Sequence, residues 1–337
     1  MPIRCAAHCL AALFFLAAAL SPALAGSPSV PKDWHSGIGL SELADPLAAA
    51  DEAAGEAKAA LEGTPAKFVF VGAANSQVVP ELVEGVKKHF PAEIIYGCQV
   101  SSPLVAESNF PDVKTIDIPA GVEVWALGGD VDIEVFTVST DIEDADVPYE
   151  EAGIQLGQRI RPSLEALSRP GKLIFTFGDQ YNGSNKELIA GLNEGLDGIY
   201  LITGGAAGNK DAKEIVKGEI VTGTDVAVLI GGEFRLAHTL KGGTHTPETA
   251  DEVLATALEQ GGKEEPFFAM LFNCRRRRQG MIENNQLAGE LENIRRRLPG
   301  MDFFGFYGPG EVGSEKPGDP SKGVGFTITA TLFYAVK

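Results

Sequence analysis

The chain has 337 residues, 44% apolar and 22% charged, the balance of a folded protein with one large or two ordinary domains rather than a disordered one. A formal net charge of −18 argues against a nucleic-acid binder, which presents a basic face. Acidity favours solubility and names no partner.

In chain order, the first segment reads as a leader. Arg4 gives a positive start, Leu10 to Leu20 an apolar run, and Ala23-Leu24-Ala25 a small-residue cleavage site. This is the pattern of a secretory signal peptide over residues 1–25, with cleavage before Gly26 and a Ser/Pro-rich linker over 26–33. The expected destination is extracytoplasmic, periplasmic or secreted, with organelle import as the alternative. Pro22 and the short apolar run argue against a retained anchor, and no later stretch is long and apolar enough to span a membrane. Cys98 and Cys274 remain after cleavage, and a disulfide between them stays open in an oxidising compartment. His35, His89, His238 and His245 lack metal-ligand spacing, so no metal or cofactor is expected.

Asp45 to Leu61 is Ala/Glu-rich with apolar residues at helical spacing, and Gly63-Thr64-Pro65 stops it. A strand is predicted over Lys67–Val71, a helix over Glu81–Phe90 and a strand over Ile94–Tyr96 ending at Gly97. Val122–Leu127 and Ile133–Val138 read as a hairpin around Gly128-Gly129-Asp130. The order then returns. Lys172–Phe177 is a strand, Glu187–Leu196 a helix and Ile199–Thr203 a strand before the Gly204-Gly205 turn; Val226–Ile230 and Phe234–Leu240 form a second hairpin. It returns once more with the strand Phe267–Phe272, a helix through Leu287, Leu291, Ile294 and Leu298, the strand Met301–Phe304, a turn opening at Gly305, and a closing β segment over Val324–Val336.

Gly97, Gly204 and Gly305 thus recur at roughly 100-residue spacing, too long for a solenoid repeat. The expected fold is α/β, with layered sheets built from repeated strand–helix–strand–hairpin units. Right-handed βαβ units send the loops after parallel strands to one sheet edge, where α/β proteins bind ligands. That edge would gather Ala73–Ser76, Gly97–Ser102, Asp179–Asn182, Gly204–Asn209, Asn273–Arg277 and Gly305–Glu311. These loops are rich in Gly, Ser and Asn, which suits a small polar ligand held by backbone N–H groups and short side chains.

Several motifs resemble the FIST family, a two-part α/β sensory module. Phe272-Asn273-Cys274 with Arg277 is similar to its F-x-C-x-G-R strand end, and Gly305-Phe306-Tyr307 with Gly310-Glu311-Val312-Gly313 to its G-F-Y-x-x-G-E-[IV]-G turn. Trp34 to Gly39 before the Ala-rich helix, Gly97-Cys98, and Thr203-Gly204-Gly205 with Gly208 resemble the N-terminal part. The resemblance implies a FIST N-terminal domain over 34–242, a FIST C-terminal domain over 243–337, and sensing of small ligands such as amino acids in signal transduction. Departures are Arg276 in place of a glycine, Gln99 after Cys98, a short segment between Gly243 and Phe267, and no His-Asn-x-Thr near the end.

The candidate ligand-binding residues are Gly97, Cys98, Ser101, Gly204, Gly205, Asn273, Cys274, Arg275, Arg277, Tyr307, Gly310 and Glu311. The run Arg275 to Arg278 reads either as a solvated loop or as a bidentate reader of an anionic group. Glu311 could accept a ligand amine or tie down its own turn. Cys98 and Cys274 read mainly as small buried strand-end residues. A cysteine nucleophile would need a base and an orienting group, and no catalytic set is evident, so an enzyme is the weaker reading. The partner is expected to be an amino-acid-like or anionic small molecule, with a receptor or signalling protein as the alternative.

Overall fold

The computed structural model describes residues 34–74, 78–106, 121–140, 149–178, 184–207, 212–243 and 245–336. The predicted leader and linker lie outside these residues. So do Asn75–Ser76, Asp179–Asn182 and Gly208–Asn209 of the expected loop edge.

The α/β repeat expected from the sequence is present, with a different phase. The first unit runs β1 (Trp34–Ser41), α1 (Pro46–Ala60), β2 (Ala66–Ala74), α2 (Pro80–Lys87), β3 (Ile95–Val100) and β5 (Val122–Gly129). Its strands lie in the order β1-β5-β2-β3. The second unit, β6 (Asp132–Ser139), α3 (Tyr149–Ala166), β7 (Gly171–Gly178), α4 (Ser184–Leu196), β8 (Ile202–Ala206) and β11 (Thr224–Gly232), repeats this as β6-β11-β7-β8. The third is β12 (Phe234–Gly242), α5 (Glu248–Gly261), β13 (Phe268–Cys274), α6 (Arg275–Glu283), α7 (Leu287–Arg297), β14 (Phe303–Gly308) and β17 (Thr327–Ala335), in the order β12-β17-β13-β14. In each unit the middle βαβ pair is parallel and the outer pairings are antiparallel.

The two predicted hairpins are therefore absent. β5 and β6 are joined through Asp130 and Val131 but lie in the first and second sheets. β11 and β12 likewise belong to the second and third sheets. Two strands with a short Gly-rich link satisfy the hairpin pattern locally, yet each second strand opens the next unit instead.

The excursions after the third strand of each unit are exchanged in a ring. β4 (Ser102–Pro103) pairs with β14 at the edge of the third sheet. β9 (Lys213–Val216) and β10 (Glu219–Thr222) extend the first sheet from β3. β15 (Glu311–Gly313) and β16 (Lys322–Val324) extend the second from β8. Every unit thus completes a neighbour's sheet.

Aromatic residues fill the centre where the sheets face one another. Trp125 stacks on Phe304 at 4.7 Å and on Phe268 at 5.7 Å, Phe70 on Phe306 at 5.8 Å, and Phe175 on Phe272 at 5.5 Å. Each pair joins different units. The helices cover the outer faces in separate apolar clusters. The alternation of strand side chains accounts for this division, one parity inward and the other towards the helices.

Gly97, Gly204 and Gly305 are not turns. They lie inside β3, β8 and β14. A Cβ at these positions would collide with the carbonyl oxygens of Val71, Thr176 and Leu271 on the parallel partner strand. The repeated glycine reports close backbone approach, repeated in all three units. The helices α3 and α5 were not legible as elements, and the Arg275–Arg278 run is the first turn of α6 rather than a loop.

Candidate functional site

The strand ends that follow β3, β8, β13 and β14 bring many of the predicted residues together, at the edge expected. Ser101 N–H donates to the Tyr307 carbonyl at 2.9 Å, and Ala206 N–H to the Gly310 carbonyl at 2.9 Å. Glu311 pairs in register with Gly205, and Gly204 with Val312. Gly97 and Cys98 sit apart on the first sheet, where Cys98 is opposite Glu214.

Asn273, Arg277 and Tyr307 meet in a closed network, and its centre is a residue the sequence reading missed. Glu290 of α7 is fully buried and accepts from Asn273 Nδ2 at 2.8 Å, Tyr307 OH at 2.9 Å and Arg277 Nη2 at 2.8 Å. Arg277 Nε also donates to Asn273 Oδ1 at 3.1 Å. Burial raises the Glu290 carboxyl pKa, and Arg277, Tyr307 and Asn273 offset this only in part. Three donors converging on one carboxyl describe an ionised Glu290 paired with Arg277. This guanidinium is fully buried and occupied, so it clamps α6 and α7 onto β13 and β14. Arg275 begins α6 half-buried, and Arg276 is exposed with its guanidinium 5.3 Å from the centre of the Phe326 ring.

Glu311 has a different environment. It is fully buried, and its Oε2 accepts from Thr327 N–H at 3.0 Å and Thr327 Oγ1 at 2.5 Å. The Cys274 thiol hydrogen-bonds to it as well, while Oε1 has no hydrogen-bond partner among the described residues. Burial pushes its pKa up to about 8 against the downward pull of these bonds and of Arg277. Thr329 Oγ1, two residues along β17, is also buried without a partner among the described residues. Glu311 therefore does tie down its own surroundings, yet one oxygen is left over.

A second buried acidic group lies on the first sheet. Glu123 is fully buried over the bare face of Gly72, and neither oxygen has a hydrogen-bond partner among the described residues. Burial raises its pKa well above the usual carboxyl range. An inward-facing Glu within the apolar alternation Val122-Glu123-Val124-Trp125 was the available sequence signal. Cys98 sits near Glu214, Glu123 and Asp225, and burial followed by these three acidic groups raises its thiol pKa strongly.

Both cysteines are free and buried. Cys274 is raised by burial first and by Glu311 next, and backbone N–H groups of Arg276, Phe326 and Arg277 offset this only in part. The thiol thus stays above its ordinary pKa even at the start of the arginine run, where the Arg276 and Arg277 backbone groups pull it down. Burial and the neighbouring acidic groups hold both thiols above their ordinary pKa, the surroundings of a structural rather than an activated cysteine.

The FIST N domain model matches residues 67–253. No curated protein matches the chain. Among solved structures, cyanuric acid hydrolase is similar at 10% identity, covering 90% of this chain and 100% of that one with a TM-score of 0.47. The cyanuric acid hydrolase from A. caulinodans gives the same identity and coverage with a TM-score of 0.42. PurLQS from Thermotoga maritima is 9% identical over 92% of this chain and 74% of that chain, with a TM-score of 0.27. At these scores the structural likenesses say nothing about chemistry. The family match spans more than half of the chain, from β2 into α5, and on that basis the protein belongs to the FIST family.

Proposed function

We propose that the protein is an exported sensory member of its family that binds a small polar ligand at the carboxyl edge of its sheets, with a FIST C domain over 243–337. The observation that carries this is Glu311: a fully buried carboxyl pushed up to about 8, with Oε1 unpartnered among the described residues, at the junction of the second and third sheets. A protonated acid there donates a hydrogen bond to a ligand carbonyl, and ionisation against a ligand ammonium is the other way to satisfy it. Arg277 contributes by holding the wall, since Glu290 already neutralises it. The anionic half of an amino-acid-like ligand would then rely on backbone N–H groups.

A thermal-shift screen of the mature chain against amino acids, small carboxylates and sugar phosphates tests the reading. A ligand should raise the melting temperature, and Glu311→Gln should abolish that rise. No shift from any class, or an undiminished shift in the variant, defeats it. Sequencing the N-terminus of protein recovered from its native host tests export, and the mature chain should begin near Gly26. Among the described residues no helix is long and apolar enough to cross a membrane.

A further inference from the structure

The cleft in the seam between the second and third sheets lies at the opposite end of the strands from Glu311. It has a volume of about 310 Å³, at the small end of the range for ligand sites. Lys172 at the start of β7, Tyr200 and Leu201 leading into β8, and Arg235, Leu236 and His238 of β12 line it. The segment linking β15 to β16 closes one side and supplies Asp319.

Two cations and one carboxylate line this cleft, in a chain whose net charge is −18. Lys172 Nζ donates to the Leu164 carbonyl at 2.9 Å and makes no ion pair among the described residues, so its positive charge is not neutralised. Arg235 is already paired with Glu264 at 2.6 Å and donates to the Gly261 carbonyl at 2.8 Å, so it adds little free charge. It lies 4.3 Å from the centre of the Tyr334 ring. Asp319 sits on the exposed rim, where solvent screens it. His238 forms a neutral floor: Nε2 accepts from Ser314 N–H at 2.9 Å, and Nδ1 shares its proton with Thr331 Oγ1 at 2.8 Å. Burial lowers its pKa to about 3, so it brings no charge. Tyr200, Leu201 and Leu236 give the cleft an apolar side, and Ile199 at its mouth is 60% exposed.

We propose that this cleft is a second ligand site, for a small organic carboxylate whose anionic end meets Lys172 and whose carbon frame packs on Tyr200, Leu201 and Leu236. An ammonium outside any ion pair among the described residues, beside an apolar wall, favours an anion with hydrocarbon attached over a bare inorganic ion. The site is independent of Glu311, which faces the other edge.

NMR titration of the full mature chain with benzoate, using benzamide as the neutral isostere, is the test. Benzoate should bind saturably and benzamide at least tenfold more weakly. Lys172→Met should weaken benzoate at least tenfold, and Leu236→Trp, which fills the cleft, should abolish binding. Should Lys172→Met fail to fold, Leu236→Trp decides, and saturable binding retained there overturns the proposal. Equal binding of benzamide, no saturation by benzoate, or an unchanged Lys172→Met also overturns it. Glu311→Gln should leave the benzoate titration intact, so failure of the carboxyl-edge reading and failure of this one are separable.

Discussion

At the scale of single residues, two buried glutamates with opposite surroundings behave differently. Glu290 has two neutral donors and a guanidinium; Glu311 has Thr327, a thiol and an unfilled oxygen. Removing the first leaves Arg277 buried without its carboxylate, and breaking a buried pair in this way costs about 3–5 kcal/mol. Glu290→Ala should therefore lose most of the chain's stability in urea titration, whereas an exposed change such as Glu292→Ala should lose almost none. Glu311 gives a pH dependence. Its folded pKa of about 8 lies above the ordinary glutamate value of 4.5, so the folded chain holds the proton that the unfolded chain releases between these values. Its contribution is full below pH 4.5 and is lost as pH rises to about 8, on the order of 4–5 kcal/mol in all. Chemical denaturation from pH 5 to 9 should show wild type losing stability relative to Glu311→Gln across that window. Parallel curves would mean that Glu311 is ionised throughout.

At the scale of elements, the strands and helices around each βαβ pair were legible because short apolar runs and helical periodicity mark them directly. α3 and α5 were not, although both carry apolar residues on one face; α3 is also interrupted by Pro162, which obscures its pattern. The repeated glycines were visible, but their cause was not. A glycine required by a neighbouring strand's carbonyl looks, in sequence, like one required by a turn. The site divides in the same way. Asn273, Arg277, Tyr307 and Glu311 stand in recognisable motifs, while Glu290 resembles any acidic residue on a helix and its burial is decided by packing. The steric reading of the glycines separates two substitutions. Gly305→Ala puts a methyl group against the Leu271 carbonyl inside the third sheet, and the strands must move apart to admit it. Gly63 has φ +86° with nothing near a Cβ, so Gly63→Ala carries only backbone strain, about 1 kcal/mol. Melting curves should show Gly305→Ala unfolded or severely destabilised and Gly63→Ala only a few degrees below wild type. Equal losses would return Gly305 to the role of a turn residue.

For the whole molecule, the exchanged strands and the shared aromatic centre decide how the chain unfolds. The first sheet is completed by β9 and β10 of the second unit, the second by β15 and β16 of the third, and the third by β4 of the first. Trp34 packs on Phe234, Phe267, Phe268 and Phe333, all from the third unit. Trp125 stacks between Phe268 and Phe304 of that same unit. Releasing any one unit would strip a strand from a neighbour's sheet and expose large aromatic faces to water, each worth about 1.5–3 kcal/mol of burial. Partial unfolding is therefore costly even though the chain is long enough to divide into independently stable domains. The two tryptophans report the contact between the first and third units, and far-UV circular dichroism reports all the helices. Urea titrations followed by both signals should coincide in a single transition, and a chain ending after Gly232 should not fold. Separate midpoints, or a folded truncation, would show that the ring of exchanged strands leaves the units energetically independent.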